Sequence, residues 1–362
     1  MSQIRKILIF NPFGIGDVLF TTPLIRNLKE NFSCQYLAYI VNNRAYPLLK
    51  KNPFLDEIFI FEKDYWRELL KKSWFKFLKQ YFSFLYNIRK KHFDVVFDLS
   101  LNSQYGLFFK MAGIKRRIGF NFKERGRFLT EKLDIPDGFS QKHVARYYLD
   151  LLRFLKINPK EYNFDVFIND TVVKEMENIL YLDTKKNDTF VLVCPGSGDS
   201  WGKTAYFKRW PKTSFVDLCN KIKSNFCVDI IIVGSKVESD ICKYIYDKME
   251  NKPINLCGQI NLEQLAVLID KSKLVITNDG GPFHIAKALN KKIIVFFGPV
   301  DERIYGPYPH SNDTFVFSRH LDCRPCYKGF RFLGCQYDKR CLREISPDEV
   351  FLIVEEILKN KK

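Results

Sequence analysis

The feature that most restricts the fold is a short apolar run that keeps returning, each time followed by a loop and a helical pattern. KILIF (6–10), QYLAYIV (35–41), EIFIF (57–61) and DVVFDLS (94–100) form a first block. FVLVCPG (190–196), VDIIIVG (228–234), LVITND (274–279) and KIIVFFG (292–298) form a second. Apolar runs without alternation suit strands covered on both faces, as in parallel sheets. Strand, loop and helix repeated in two blocks predict an α/β chain of two doubly wound, Rossmann-like domains. The blocks divide around FINDTVVKEMENILYLDTKKNDT, which reads as a polar separator. The final segment, SPDEVFLIVEEILKN, has Ser346 as N-cap, Pro347 at the first helical position and Glu349 three residues after the cap. That combination predicts a closing helix.

Composition narrows the class of partner. The chain carries 58 Lys and Arg against 41 Asp and Glu, a formal net charge of +17. Such an excess favours polyanionic partners. No uninterrupted apolar run approaches the roughly 20 residues that span a bilayer. MSQIRKILIFNPF lacks the pattern of a signal peptide. A cytoplasmic location is expected, and with it reduced thiols rather than disulfides for the ten cysteines.

Chemistry concentrates in loops after the strands. NPFGIGDVLFTTP (11–23) places Gly14 and Gly16 at a strand end. It lacks the third small residue of a dinucleotide fingerprint and the Gly-Lys-Ser/Thr of a P-loop. Asp17 then has two readings. It begins a helix, stabilised by the N-terminal dipole, or it is a general base aimed at a substrate hydroxyl. The second block carries the expected anion site. TNDGGPFHIAKAL (277–289) supplies Asp279, Gly280, Gly281 and His284 where a helix opens, and free backbone N–H groups there suit a diphosphate. PGSGDSWGKTAYFKRWP (195–211) adds Ser197, Gly198, Lys203 and Lys208, and VGSKVESD (233–240) adds Glu238, placed to hold a ribose hydroxyl. Asp279 reads equally as a helix cap.

Taken together, GIGDVLFTTPLIRNLK, RRIGF (116–120), KHVARYYLDLL (142–152), KRWP (208–211), TNDGGPFHIAKAL and FFGPVDERIYGPYP (296–309) resemble glycosyltransferase family 9, the heptosyltransferases of lipopolysaccharide core assembly. The resemblance implies the GT-B fold, two Rossmann-like domains facing across a cleft. It implies an acceptor-binding domain over 1–170, a nucleotide-sugar donor domain over 171–345, and a helix over 346–362 packing back toward the first domain. It also implies an inverting transfer from ADP-heptose to an inner-core acceptor that requires no cofactor for catalysis. Asp17 then matches the catalytic base and Lys208 a lysine at the donor phosphates. Asp279, Gly280, Gly281 and His284 match the diphosphate loop, Glu238 a ribose contact and Ile260 the adenine pocket. Gly280 stands where many members carry Ser or Thr, which weakens the donor assignment. The alternatives are another nucleotide-sugar donor, a non-core glycan acceptor, or glycan or nucleotide binding without turnover.

Two basic stretches bear on the acceptor. Residues 63–92 hold nine Lys or Arg against two acids. Trp74, Phe77, Leu78, Tyr81, Leu85 and Ile88 recur there at three- and four-residue steps, predicting one long amphipathic helix. It either packs on the first core or meets the inner face of the cytoplasmic membrane, where an anionic lipid-linked acceptor resides. KRRIGFNFKERGR (115–127) either carries solvated surface charge or offers Arg116, Arg117, Lys123 and Arg125 to acidic saccharide groups, with Gly14 and Gly16 as further acceptor-binding candidates. No nucleic-acid-binding pattern accompanies these patches, so nucleic acid is not an expected partner. Finally, Cys323, Cys326, Cys335 and Cys341 are spaced C-x₂-C-x₈-C-x₅-C, open to a structural zinc ion, reduced thiols or disulfides.

Overall fold

The computed structural model describes residues 4–32, 34–183, 189–198 and 201–359. The chain forms two compact units that divide after Asp165. In the first, β1 (Lys6–Phe10), β2 (Tyr36–Val41), β3 (Glu57–Ile60), β4 (Val95–Asp98), β5 (Arg116–Asn121) and β6 (Glu131–Asp134) make one parallel sheet in the order β3-β2-β1-β4-β5-β6. In the second, β7 (Phe190–Cys194), β8 (Asp229–Ile232), β9 (Ile254–Asn255), β10 (Leu274–Asn278), β11 (Ile293–Phe296) and β12 (Thr314–Phe317) make another, β12-β11-β10-β7-β8-β9. Counted from its own first strand, each sheet has the same Rossmann-type order. The apolar runs are fully covered, as strands between two helical layers must be: Ile7, Leu8, Ile9, Val191, Leu192 and Val193 are all buried.

In both sheets the chain reverses direction of travel beside the first strand. The crevice lies between the ends of β1 and β4 in one unit, and between those of β7 and β10 in the other. Loops at such points splay apart and leave room for ligand. The sequence motifs at Asp17 and at Asp279–His284 sit on these loops.

Three elements add detail to the expected outline. The basic stretch at 63–92 is not one helix but a hairpin, Lys63–Lys72 and Trp74–Arg89. Ser73 breaks it with extended backbone (φ −163°, ψ 108°), and its hydroxyl accepts from the Lys76 amide at 3.4 Å, capping the second helix. The polar separator contains a helix, Asp170–Asp183, within the second unit. Lys271 pairs with its Glu177 at 2.7 Å. The closing helix, Pro347–Lys359, starts with the expected capping box: Ser346 Oγ accepts from the Glu349 amide at 3.2 Å. Part of its apolar stripe lies in the second unit's core. Val350, Val354 and Ile357 pack there, against helix Lys212–Asn225.

The centre of that core is Trp210. Its ring stacks on Phe296 at 4.3 Å and meets Phe215 edge-on at 5.0 Å, while its Nε1–H donates to the Ile345 carbonyl at 3.0 Å. Trp210→Ala removes a fully buried ring and orphans that carbonyl. The expected loss is about 3–5 kcal/mol of stability, read from denaturant unfolding of the two proteins.

Candidate active site

The second unit's site is assembled by one buried side chain. Asn278, the last residue of β10, donates through Nδ2 to the carbonyls of Pro195 and Gly196 at 2.8 and 2.9 Å. Its Oδ1 accepts from the Trp210 amide at 2.8 Å. The end of β10, the loop after β7 and the KRWP segment are thereby tied together. Each residue of that segment then has a separate task. Lys208 enters the site, Arg209 Nε donates to Ser197 Oγ at 3.3 Å, Trp210 fills the core and Pro211 precedes a helix.

Lys208 and Asp279 form a buried ion pair, Nζ to Oδ2 at 2.9 Å. Asp279 follows β10 and is followed by Gly280, the N-cap of helix Gly281–Ala288. A Cβ on Gly280 would come within 3.2 Å of the Ser197 carbonyl, so glycine lets the two switch-point loops touch. His284, one turn into the helix, places Nε2 4.0 Å from Asp279 Oδ1. Burial, helped by the Lys208 charge, pushes its pKa down to about 3. His284 is therefore a neutral imidazole at ordinary pH. Ile260 sits half-buried just before Asn261, the N-cap of helix Leu262–Lys271.

Two expected donor contacts serve the loop itself. Glu238 is buried, and its Oε1 accepts from the amides of Ser197 and Gly198 at 2.8 and 2.9 Å. Its Oε2 accepts from the Ser235 amide and hydroxyl at 2.9 and 3.0 Å. A Cβ on Gly196 would overlap Glu238 Oε1 at 1.9 Å, so this clamp requires glycine. Ser197 is also buried, its hydroxyl donating to the Ala205 carbonyl at 2.9 Å rather than facing outward. Part of the expected loop, Asp199 and Ser200, lies outside the described residues.

In the first unit, Asp17 stands half-buried in the first turn of the short helix Ile15–Leu19. Gly14 caps it at φ −75°, so neither this glycine nor Gly16 is present for a left-handed turn. A Cβ on Gly14 would lie 3.8 Å from Asp17 Oδ2, in ordinary contact with the carboxylate. Two buried amides that sequence reading missed hold the loop. Asn11 Nδ2 donates to the Asp17 carbonyl at 3.0 Å, and its Oδ1 accepts from the Phe13 amide at 3.1 Å. Asn42, after β2, donates to the Phe13 carbonyl. A second carboxylate, Asp98, closes β4 beside this loop. Burial raises its pKa to about 6, and the Ser100 amide donates to Oδ1 at 3.0 Å. Its position at a strand end was the available signal.

The basic loop divides in two. Arg116 is spent on a bidentate pair with Glu131 at 2.8 and 2.7 Å and on the Phe154 carbonyl at 2.7 Å. Arg117 donates to the carbonyls of Phe128 and Ile114 at 2.7 and 2.6 Å. Both half-buried arginines therefore bond to groups within the first unit. Lys123 and Arg125 are exposed, on a turn where Lys123 and Glu124 have positive φ.

Among the described residues no three His, Cys, Asp or Glu side chains are grouped to hold a metal ion. All ten cysteines are free thiols. Cys341 packs into the second core, Cys326 Sγ contacts the Cys323 carbonyl at 3.0 Å, and Cys335 Sγ accepts from the Lys339 amide at 3.2 Å. Arg324 holds the segment instead, bonding the carbonyls of Gly298, Arg319 and Val300 and the Glu302 carboxylate at 2.5–3.1 Å. The structural-zinc expectation is not supported.

Comparison with known proteins follows this geometry. Residues 81–335 match the family model for glycosyltransferase family 9 (heptosyltransferase). Lipooligosaccharide heptosyltransferase 2 of Campylobacter jejuni is 25% identical over 367 residues, covering 98% of this chain and 99% of the relative. Lipopolysaccharide heptosyltransferase 1 of Campylobacter coli is 27% identical over 312 residues, covering 81% and 84%. The solved structure of Escherichia coli ADP-heptose LPS heptosyltransferase II is similar with a TM-score of 0.75 at 20% identity, over 98% of both chains. A family 9 glycosyl transferase from Veillonella parvula reaches 0.78 at 20% identity, over 99% and 98%. These likenesses give the fold class, GT-B. With the family model spanning most of its length over two Rossmann-type units, the chain belongs to glycosyltransferase family 9, the heptosyltransferases.

Proposed function

We propose that this chain transfers heptose from ADP-heptose to a lipopolysaccharide inner-core acceptor, with inversion and without a catalytic metal. The observation that carries the reading is the buried Lys208–Asp279 pair where helix Gly281–Ala288 begins. The equivalent loop of the other sheet carries a carboxylate, Asp17.

The chemistry follows from these charges. The acceptor oxygen bonds to the anomeric carbon as the bond from that carbon to the diphosphate breaks, and ADP leaves with the electron pair. Asp17 takes the acceptor proton. Negative charge grows on the departing diphosphate, where cations and aligned amides stabilise it most. An ammonium has three donors, and Asp279 accepts from one. The others, with the amides of Gly281 and Phe283, suit phosphate oxygens; Pro282 has no N–H to give. His284 remains neutral and adds a polar edge without competing charge. Glu238 keeps the loop at Ser197 and Gly198 in shape, and with Ile260 borders the nucleoside side.

The acceptor is lipid-linked and anionic, met by Lys123 and Arg125 at the cytoplasmic face of the inner membrane. The hairpin at 63–89 supports peripheral attachment there. Its Trp74, Phe75, Phe82 and Tyr86 are each more than half exposed amid an excess of lysine. Among the described residues no helix is long and apolar enough to cross a membrane.

A screen of ADP-, GDP- and UDP-sugars with a truncated acceptor tests the donor: ADP-heptose alone should bind and release its nucleotide. Preference for another nucleotide would replace the donor assignment, and binding without release would make the chain a non-catalytic binder.

Asp17→Asn should lower turnover by about 10²–10⁴-fold while calorimetry shows unchanged donor binding. Near-normal turnover removes Asp17 as base.

Lys208→Met leaves Asp279 buried and unpaired, so it is best made together with Asp279→Asn. The double variant should fold and lose about 10²-fold or more in kcat. Unchanged kinetics would take the pair out of the reaction.

For His284, the folded pKa near 3 lies below the unfolded value of about 6.5. As pH falls the unfolded chain binds the proton first. The residue's contribution to stability is full above about pH 6.5 and is lost as pH falls toward 3. Imidazole resonances in NMR should therefore show no titration of His284 between about pH 8 and 5. A midpoint in that window refutes the neutral assignment.

A further inference from the structure

Under the hairpin, the first unit has a partly open cavity of about 450 Å³, lined by none of the residues assigned to the transfer chemistry. The volume falls within the roughly 300–1,000 Å³ of small-ligand sites. Its wall is a continuous set of rings. Phe61 stacks on Trp66 at 5.6 Å, Trp66 meets Phe84 at 6.0 Å, and Phe10 meets Tyr105 at 4.8 Å. Lys63, Arg67, Asn102 and Gln104 provide the polar lining. Phe10 ends β1 and Asn102 follows β4, so the cavity lies at the C-terminal strand ends, as does the loop that carries Asp17.

A sugar or nucleotide would lose its hydration against such a wall and find few partners, at a cost that apolar contact does not recover. An acyl chain meets no such cost. On the polar side Lys63 and Arg67, the latter in an exposed pair with Asp64 at 3.2 Å, favour an anionic head.

The roof of the cavity points to the source of that chain. On helix Trp74–Arg89, Phe77, Tyr81 and Phe84 face the cavity. Phe75, Phe82 and Tyr86, spaced seven and four residues apart, share another face and are exposed. A helix apolar on two faces is suited to burial on both sides. Lys71, Lys72, Lys76, Lys79 and Lys90 are exposed around it and complement an anionic surface.

We propose that the cavity accepts one acyl chain of an anionic phospholipid from the bilayer on which the hairpin lies, with Lys63 and Arg67 beside its head group. The proposal rests on the membrane-facing reading of the hairpin. It does not depend on which sugar is transferred.

Trp66 provides the probe. The full chain carrying Trp74→Phe, which removes the exposed indole, is mixed with phosphatidylglycerol vesicles whose acyl chains are brominated. Bromine should quench a component of the tryptophan emission that is absent when Trp66→Phe is added. Brominated phosphatidylcholine vesicles should leave that component in place. Leu70→Phe, at the half-exposed rim of the cavity, should abolish the quenching while co-sedimentation with the vesicles persists.

Vesicle binding with Trp66 emission intact would overturn the cavity proposal and leave the hairpin reading standing. Failure to sediment with phosphatidylglycerol would overturn both. Equal quenching by the two lipids would overturn the anionic head group, and quenching undiminished by Leu70→Phe would place the chain outside the cavity.

Discussion

The second unit's site depends on the carboxamide of Asn278. It is fully buried and makes three hydrogen bonds to main-chain groups of two other segments. An amide with one acceptor and two donors is suited to this, because each neighbour presents the opposite polarity. Remove it, and the Trp210 amide and two carbonyls lose buried partners, each a cost of about 1–3 kcal/mol. The position of Lys208 follows. Two residues before Trp210, it can reach Asp279 because Asn278 and the Trp210 ring fix the intervening chain.

The first unit solves the same problem with Asn11 and Asn42. One ends the run after β1, the other the run after β2, and both bond to the loop that carries Asp17. In each unit, a carboxamide at a strand end shapes a loop that carries or adjoins a charged side chain. The two units share a strand order and this device, but they differ in charge. The first presents carboxylates at the ends of both strands flanking its crevice. The second presents a lysine and a helix N-terminus.

Much of this was legible in the sequence because it is local. Strand runs such as KILIF and FVLVC, the capping box of Ser346 and Glu349, and a charged residue after a strand each declare themselves within a few positions. What was not legible depends on contacts set by tertiary register. Arg116 looks like a surface cation until β5 pairs with β6 and brings Glu131 beside it. Glu238 reads as a ligand contact because nothing local shows that the amides of Ser197 and Gly198 will occupy Oε1. The cysteine spacing suggested a metal, but spacing does not report where thiols point, and Cys341 points into the core. The break at Ser73 hid inside a helical periodicity that continues on both sides of it.

The two carboxylates of the first unit differ in their surroundings. Asp98 and Asp17 both stand at the first crevice, but their surroundings set them apart. Asp98 is buried, and desolvation raises its pKa to about 6, so ionising it near neutrality works against the fold. Its backbone also lies too close to Gly119 for change there, since a Cβ on that glycine would meet the Asp98 carbonyl at 2.3 Å. Asp17 is less enclosed, stands in a helix's first turn where the dipole favours the anion, and has a glycine rather than a side chain beside it. Of the pair, Asp17 is half-buried and Asp98 is buried, so Asp17 is the more accessible carboxylate. Asp98 is better placed to hold the strand end and the polarity of the crevice behind it.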